Sequence, residues 1–180
     1  VIRLVTGGVR SGKSRFAESL CDQSEQNVIY IATGQAIDLE MEERIRQHQQ
    51  QRPLSWGLIE EPLDLVKKIR ELPVGQVLLL DSMTTWVANQ MLHFSEAESW
   101  TKEMKEMFFQ RMQSETHLLL QSLQHHETII VTDEVGLGGI SAHPIARLFQ
   151  DALGRMNQQI AESAEEVWMV ISGIPWRIKG

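Results

Sequence analysis

The sequence holds a single cysteine, Cys21, so no disulfide can form within the chain, and such scarcity points to a reducing, cytoplasmic compartment. No apolar run approaches the roughly 20 residues needed to span a bilayer, and the opening segment has none of the basic, apolar and cleavage parts of a secretory signal. A membrane span and a secreted protein are therefore not expected. Val1 stands where an initiating Met would, as in a processed or trimmed start. An excess of positive charge is missing too. With 17 basic against 24 acidic residues the net charge is -7, which argues against non-specific affinity for nucleic acid or anionic membrane. Any anionic ligand must be gripped locally. Neither an internal repeat nor a low-complexity segment interrupts the chain.

What is present is ordinary for a globular protein: 42% hydrophobic and 23% charged residues exclude global disorder. A chain of 180 residues can bury a sizeable core, and residues 1–180 are expected to form a single domain. Short β-branched runs at 2–6, 27–33, 76–82, 127–134 and 166–173 read as strands buried on both faces. Segments of helical period lie between them, at 13–22, 38–51, 62–71, 84–93, within 96–126, and at 144–163. Strand and helix alternating in this order predict an α/β fold, a mostly parallel sheet flanked by helices. From Trp100 to Leu123, Met104, Met107, Phe108, Met112 and Leu119 form an apolar stripe that faces either the core or a neighbouring subunit, with a flexible ligand as the alternative.

The stretch "GGVRSGKS" fits G-x-x-x-x-G-K-[ST], with Gly7, Gly12, Lys13 and Ser14 in register, directly behind a predicted strand and opening a predicted helix. Glycines let successive N–H groups point at one anion, and the new helix adds the positive end of its dipole. Lys13 is placed to reach the β/γ-phosphates and the Ser14 hydroxyl to ligate Mg²⁺. A second magnesium ligand is expected at the end of a neighbouring strand, and "VLLLD" delivers Asp81 there. The alternative for Asp81 is a helix cap ahead of "TTW". "TDEVG" offers a second pair at a strand end, Asp133 and Glu134. This P-loop implies a nucleoside triphosphate but does not separate a kinase, an ATPase and a nucleotide-driven switch or scaffold.

The polar segment "MEERIRQHQQQRP" (41–53) puts Arg44 and His48 four apart on one helix face. Taken alone, His48 is open between a solvated helix residue, a general base, a phosphate-contacting donor and a nucleophile on the α-phosphate.

Several motifs in matched order run over essentially the whole chain: "LVTGGVRSGKSRFAE", "YIAT", "RIRQHQQQRP", "EEP", "LLLDSMTTWVAN", "DEVGLG", "GRMNQ" and "EVWMVISGIPWRIK". In these the chain resembles the bifunctional adenosylcobinamide kinase / adenosylcobinamide-phosphate guanylyltransferase family of cobalamin biosynthesis. The resemblance implies a RecA-like P-loop NTPase architecture, GTP and possible ATP as nucleotide substrates, Mg²⁺, a corrinoid acceptor and a homotrimer. It implies phosphorylation of adenosylcobinamide, then transfer of GMP through a guanylylated histidine that falls on His48. Gly7, Gly8, Val9, Arg10, Ser11, Gly12, Lys13 and Ser14 would hold the triphosphate. Thr33, Gly34, Gln35, Gln51 and Arg52 would line the nucleotide site, completed by Asp81 and Glu61, with Glu60 equally placed by motif. The single-activity alternatives are a P-loop small-molecule kinase or a guanylyltransferase. An unperturbed histidine, with pKa near 6.5, is mostly neutral at about pH 7 and so able to attack phosphorus. Lys13, Arg10 and Mg²⁺ suit the charge growing on pyrophosphate. The kinase step needs a second pose, or movement of the helix bearing His48.

Two departures from the family pattern stand out. Asp133 replaces the asparagine of N-E-V-G, and Gln150 stands where an arginine is usual in "ISAHPIARLFQDALGRMNQ", which also lacks a Val-Pro pair. An added acid and a lost cation near phosphate are expected to weaken one half-reaction or to shift substrate preference.

Overall fold

The computed structural model describes residues 1–22, 27–34, 53, 55–97 and 99–180. Among these, seven strands are seen: β1 (Ile2–Gly7), β2 (Val28–Ala32), β3 (Gly57–Glu60), β4 (Val77–Asp81), β5 (Glu127–Asp133), β6 (Glu166–Ile171) and β7 (Ile174–Lys179). Five helices accompany them: α1 (Lys13–Cys21), α2 (Leu65–Arg70), α3 (Met83–Phe94), α4 (Lys102–Ser122) and α5 (Pro144–Ser163). The helix expected over 38–51 lies outside the described residues.

The strands form one sheet in the order β3-β2-β4-β5-β1-β6-β7. Every neighbouring pair is parallel except β6 with β7. The central strands are apolar on both sides because both faces are covered. On one face Val5, Val77, Leu79, Ile129 and Val131 pack with Ala17 and Cys21 of α1. On the other Leu4, Leu78, Leu80 and Ile130 pack with α2 to α5. Trp86 of α3 is fully buried there, and its indole N–H donates to the Leu63 carbonyl at 3.0 Å. The stripe from Trp100 to Leu123 faces this core: Phe108, Leu119 and Leu123 have no exposed surface, and only Met107 stands well out in solvent.

Side-chain oxygens mark where helices begin. Ser82 accepts from the Thr85 N–H at the start of α3, and Thr101 from Met104 at the start of α4. The cap on α3 is therefore Ser82, not Asp81. Glu61 accepts from the N–H groups of Leu63 and Asp64 at 3.0 and 2.8 Å, which holds a turn and delays α2 to Leu65.

The sequence reading passed over two strands. β3 is a four-residue strand at the sheet edge, mostly exposed, with too few buried positions to show a period. β7 follows β6 through the two-residue turn Ser172-Gly173, both with positive φ (52° and 80°), the geometry of a hairpin whose twist matches its strands. Pro175 is tolerated in β7 because that strand is an edge.

Because β1 to β6 are parallel, their carboxyl ends gather along one rim of the sheet. β1 leads through α1 across one face, and β5 leads through α5 across the other. The crevice where these two paths part, between β1 and β5, is where open sheets of this kind hold ligands.

Candidate functional site: a phosphate cradle between two strand ends

The loop leaving β1 is built around glycines that have physical reasons to be there. A Cβ on Gly7 would come within 2.6 Å of both Ser11 Oγ and the Val170 carbonyl oxygen. Gly12 has φ +92°, and a Cβ there would meet Gly173 Cα at 3.2 Å. The Ser11 N–H donates to the Gly8 carbonyl at 3.2 Å, and the Gly173 N–H donates to the Ser11 carbonyl at 2.7 Å. The β6–β7 turn thus braces the loop from outside. Arg10 adopts a positive φ of 56°, while Gly8, Val9 and Arg10 are exposed at the tip. Ser11 is buried, and its Oγ has no hydrogen-bond partner among the described residues.

Lys13 opens α1, and its ammonium donates to the Gly8 carbonyl at 3.3 Å and lies 2.5 Å from Asp133 Oδ1. This contact was not legible from spacing. Asp133 ends β5, and in the parallel register it sits beside Gly7. Its backbone is fixed on three sides. The Asp133 N–H donates to Thr84 Oγ1 at 2.8 Å, the Asn157 amide donates to the Asp133 carbonyl at 3.1 Å, and the next N–H, of Glu134, donates to the Gly7 carbonyl at 3.1 Å.

Asp81 ends β4, one strand further on, and pairs in register with Val131. Alternation along β5 puts Val131 and Asp133 on the same side, so both carboxylates face the α1 side of the sheet. The Tyr30 hydroxyl donates to Asp81 Oδ2 at 3.0 Å. Ser14, Asp81 and Asp133 are hard oxygen donors. No group of three or more His, Cys, Asp or Glu able to hold a metal occurs among the described residues. A donor set of this kind suits an ion that arrives with phosphates and water, as Mg²⁺ does, rather than one held by an all-protein cage.

The other expected site residues that the structure describes, Thr33, Gly34, Glu60 and Glu61, occupy the same rim. Thr33 is fully buried, and its hydroxyl donates to the Ser82 carbonyl at 2.6 Å and accepts from the Ser82 N–H at 3.0 Å, tying the end of β2 to the start of α3. Gly34 follows it. Glu60 is exposed at the end of β3, whereas Glu61 accepts the turn N–H groups ahead of α2. His48, Gln35, Gln51 and Arg52 lie outside the described residues.

Gln150 has a role that the loss of a cation does not describe. Its amide donates to the Val135 and Gly139 carbonyls, both at 3.1 Å, and accepts from the Ser141 N–H at 3.1 Å. It is the clamp of the loop that follows Asp133. Sequence reasoning missed Thr84, Asn157 and Gly173. The dipeptide Ser172-Gly173 between two alternating runs was a readable hairpin signal, whereas the other two act through contacts from their helices to the end of β5 that no local pattern records.

Known proteins resemble this chain over nearly its whole length. The chain is 41% identical over 182 residues to the bifunctional adenosylcobalamin biosynthesis protein CobU of Escherichia coli (strain K12), covering 98% of each chain. It is 39% identical to the protein of the same name from Salmonella typhimurium (strain LT2), again over 98% of each. It is 38% identical to the bifunctional adenosylcobalamin biosynthesis protein CobP of Pseudomonas aeruginosa, over 98% of this chain and 96% of that protein. Among solved structures, a type III secretion system ATPase superposes with a TM-score of 0.54 at 12% identity, covering 93% of this chain and 50% of that one. A Pyrococcus horikoshii OT3 protein gives 0.52 at 7% identity, covering 99% and 86%. Those likenesses bear on the fold alone, and they agree with a RecA-like P-loop NTPase arrangement. The family model for cobinamide kinase / cobinamide phosphate guanyltransferase matches residues 3–178, and the chain belongs to that family.

Proposed function

We propose that this chain phosphorylates the aminopropanol hydroxyl of adenosylcobinamide and then transfers GMP from GTP to the new phosphate, releasing pyrophosphate. The observation that carries the reading is the glycine-built cradle with Lys13 at its centre, in a chain matched over residues 3–178 by the family. Residues 1–180 act as one P-loop nucleotide-binding domain, with GTP, or ATP for the first step, as nucleotide.

In this mechanism the N–H groups from Gly8 to Ser14 orient the phosphate chain, and Lys13 and Arg10 neutralise charge on the leaving pyrophosphate. Gly34, Gln35, Gln51 and Arg52 line the rest of the nucleotide, with Thr33 and Glu61 holding the backbone beside it. The neutral imidazole of His48 forms a bond to the α-phosphorus as the bond to the bridging oxygen breaks. A phosphate oxygen of the corrinoid then displaces the imidazole and takes the GMP. In the kinase step the acceptor hydroxyl meets the γ-phosphorus instead. Ser14 and Asp81 hold Mg²⁺ together with the nucleotide; when bound, the ion supplies positive charge to the phosphates.

We place the protein in the cytoplasm, which its free, buried Cys21 supports. No described helix is long and apolar enough to cross a membrane. We infer a homotrimer, and the exposed apolar face of the β6–β7 hairpin supports self-association.

Intact-protein mass spectrometry after incubation with GTP and Mg²⁺ tests the reading. An acid-labile GMP adduct on the wild type and none on His48→Ala is expected. No adduct on a folded, GTP-binding protein would sink the histidine mechanism and leave a kinase alone.

A further inference from the structure

Every group that lines a phosphate cradle is expected to be positive or to donate a hydrogen bond, and Asp133 is neither. Its Oδ1 is shut off from solvent, and among the described residues its one polar contact is the Lys13 ammonium at 2.5 Å. The side chains of Lys13 and Asp133 are only 13% and 20% exposed. Nor can Asp133 withdraw easily, because Thr84, Asn157 and the Glu134–Gly7 hydrogen bond hold its backbone. Asn157 is in turn fixed by the Thr132 hydroxyl, which donates to its side-chain oxygen at 2.8 Å.

We propose that Asp133 makes the cradle selective for a nucleoside triphosphate in complex with a divalent cation over the bare triphosphate. The inference rests on the nucleotide-binding part of the reading above and not on the corrinoid or on His48. A bare triphosphate that takes Lys13 for itself strips Asp133 of its counter-ion and leaves two anionic groups facing each other where the carboxylate is largely shielded from solvent. Such an arrangement is strongly unfavourable. A divalent cation brought in with the phosphates removes the conflict. Asp133 then faces a positive charge, directly or through a water, with Asp81 one strand away on the same side of the sheet. Before nucleotide arrives, Asp133 keeps the Lys13 ammonium inside the cradle and neutralised, so that stray anions such as inorganic phosphate find a weaker attraction there.

The test is GTP binding by isothermal titration calorimetry, with excess EDTA and with Mg²⁺, on the wild type, Asp133→Asn and Asp133→Ala. Thermal melts check that each variant is folded. In EDTA both variants are expected to bind at least about tenfold more tightly than the wild type. Adding Mg²⁺ tightens the wild type more than either variant. Equal affinities in EDTA, or weaker binding by both variants, would overturn the proposal and leave Asp133 as a group that merely positions Lys13. A gain in Asp133→Asn without one in Asp133→Ala would also overturn it, since charge and not hydrogen bonding is claimed. Absence of GTP binding by the wild type under both conditions defeats the nucleotide reading itself. Loss of the His48 adduct with the EDTA difference intact defeats only the transfer chemistry.

Discussion

Cys21 ends α1 with no exposed surface, and burial pushes its thiol up to about 12, with Asp22 and Glu18 acting in the same direction. Only the thiolate reacts at a useful rate. Iodoacetamide at about pH 8 is therefore expected to leave the native protein unlabelled and to modify it after unfolding in urea, followed by mass. Labelling of the native protein at the speed of a free thiol would show that α1 opens. Gly7 is a second residue whose identity has a local cause. The clash at 2.6 Å with the Val170 carbonyl involves backbone that a side-chain rotation cannot relieve. Gly7→Ala is expected to lower stability by about 1–3 kcal/mol in urea titrations and to weaken GTP binding. An alanine variant with unchanged unfolding midpoint would mean that β1 and β6 part more readily than their packing suggests.

At the scale of elements, the segments that could be read from sequence are those whose signal is local. The bounds of α5, residues 144–163, were legible because Pro144 opens it and the apolar period runs unbroken to Ile160. The P-loop was legible because motif, strand and helix fall within a few residues of one another. That Asp133 and Asp81 end strands was also legible. Which of them meets Lys13 was not, since that depends on β5 lying next to β1, a pairing between distant parts of the chain. Gln150 shows the same limit: read as a missing cation, it instead holds three backbone groups of the loop after β5. Gln150→Ala is expected to cost about 1–3 kcal/mol and to expose that loop, between Val135 and Ser141, to faster proteolytic nicking. Unchanged cleavage would show that Arg147, which donates to the Ser141 and Ala142 carbonyls, suffices alone.

At the scale of the whole molecule, the described part of the sheet is left unfinished on the side of β7. Ile171, Ile174, Trp176 and Ile178 are 52–70% exposed and lie on the face of the β6–β7 hairpin turned away from α1, beside the free edge of β7. An edge strand with an apolar face invites pairing with another chain. Replacing Ile174 and Ile178 together by Lys is expected to shift light-scattering mass toward the monomer at micromolar concentration. A variant that keeps the assembly of the wild type would move the subunit contact elsewhere. The turn of the same hairpin holds the Ser11 carbonyl and crowds Gly12, so one of the first segments of the chain is completed by its last described strand. The glycine loop therefore takes its finished shape only once β6 and β7 have paired, and a change that loosens the hairpin is felt at the other end of the chain's connectivity, in the loop.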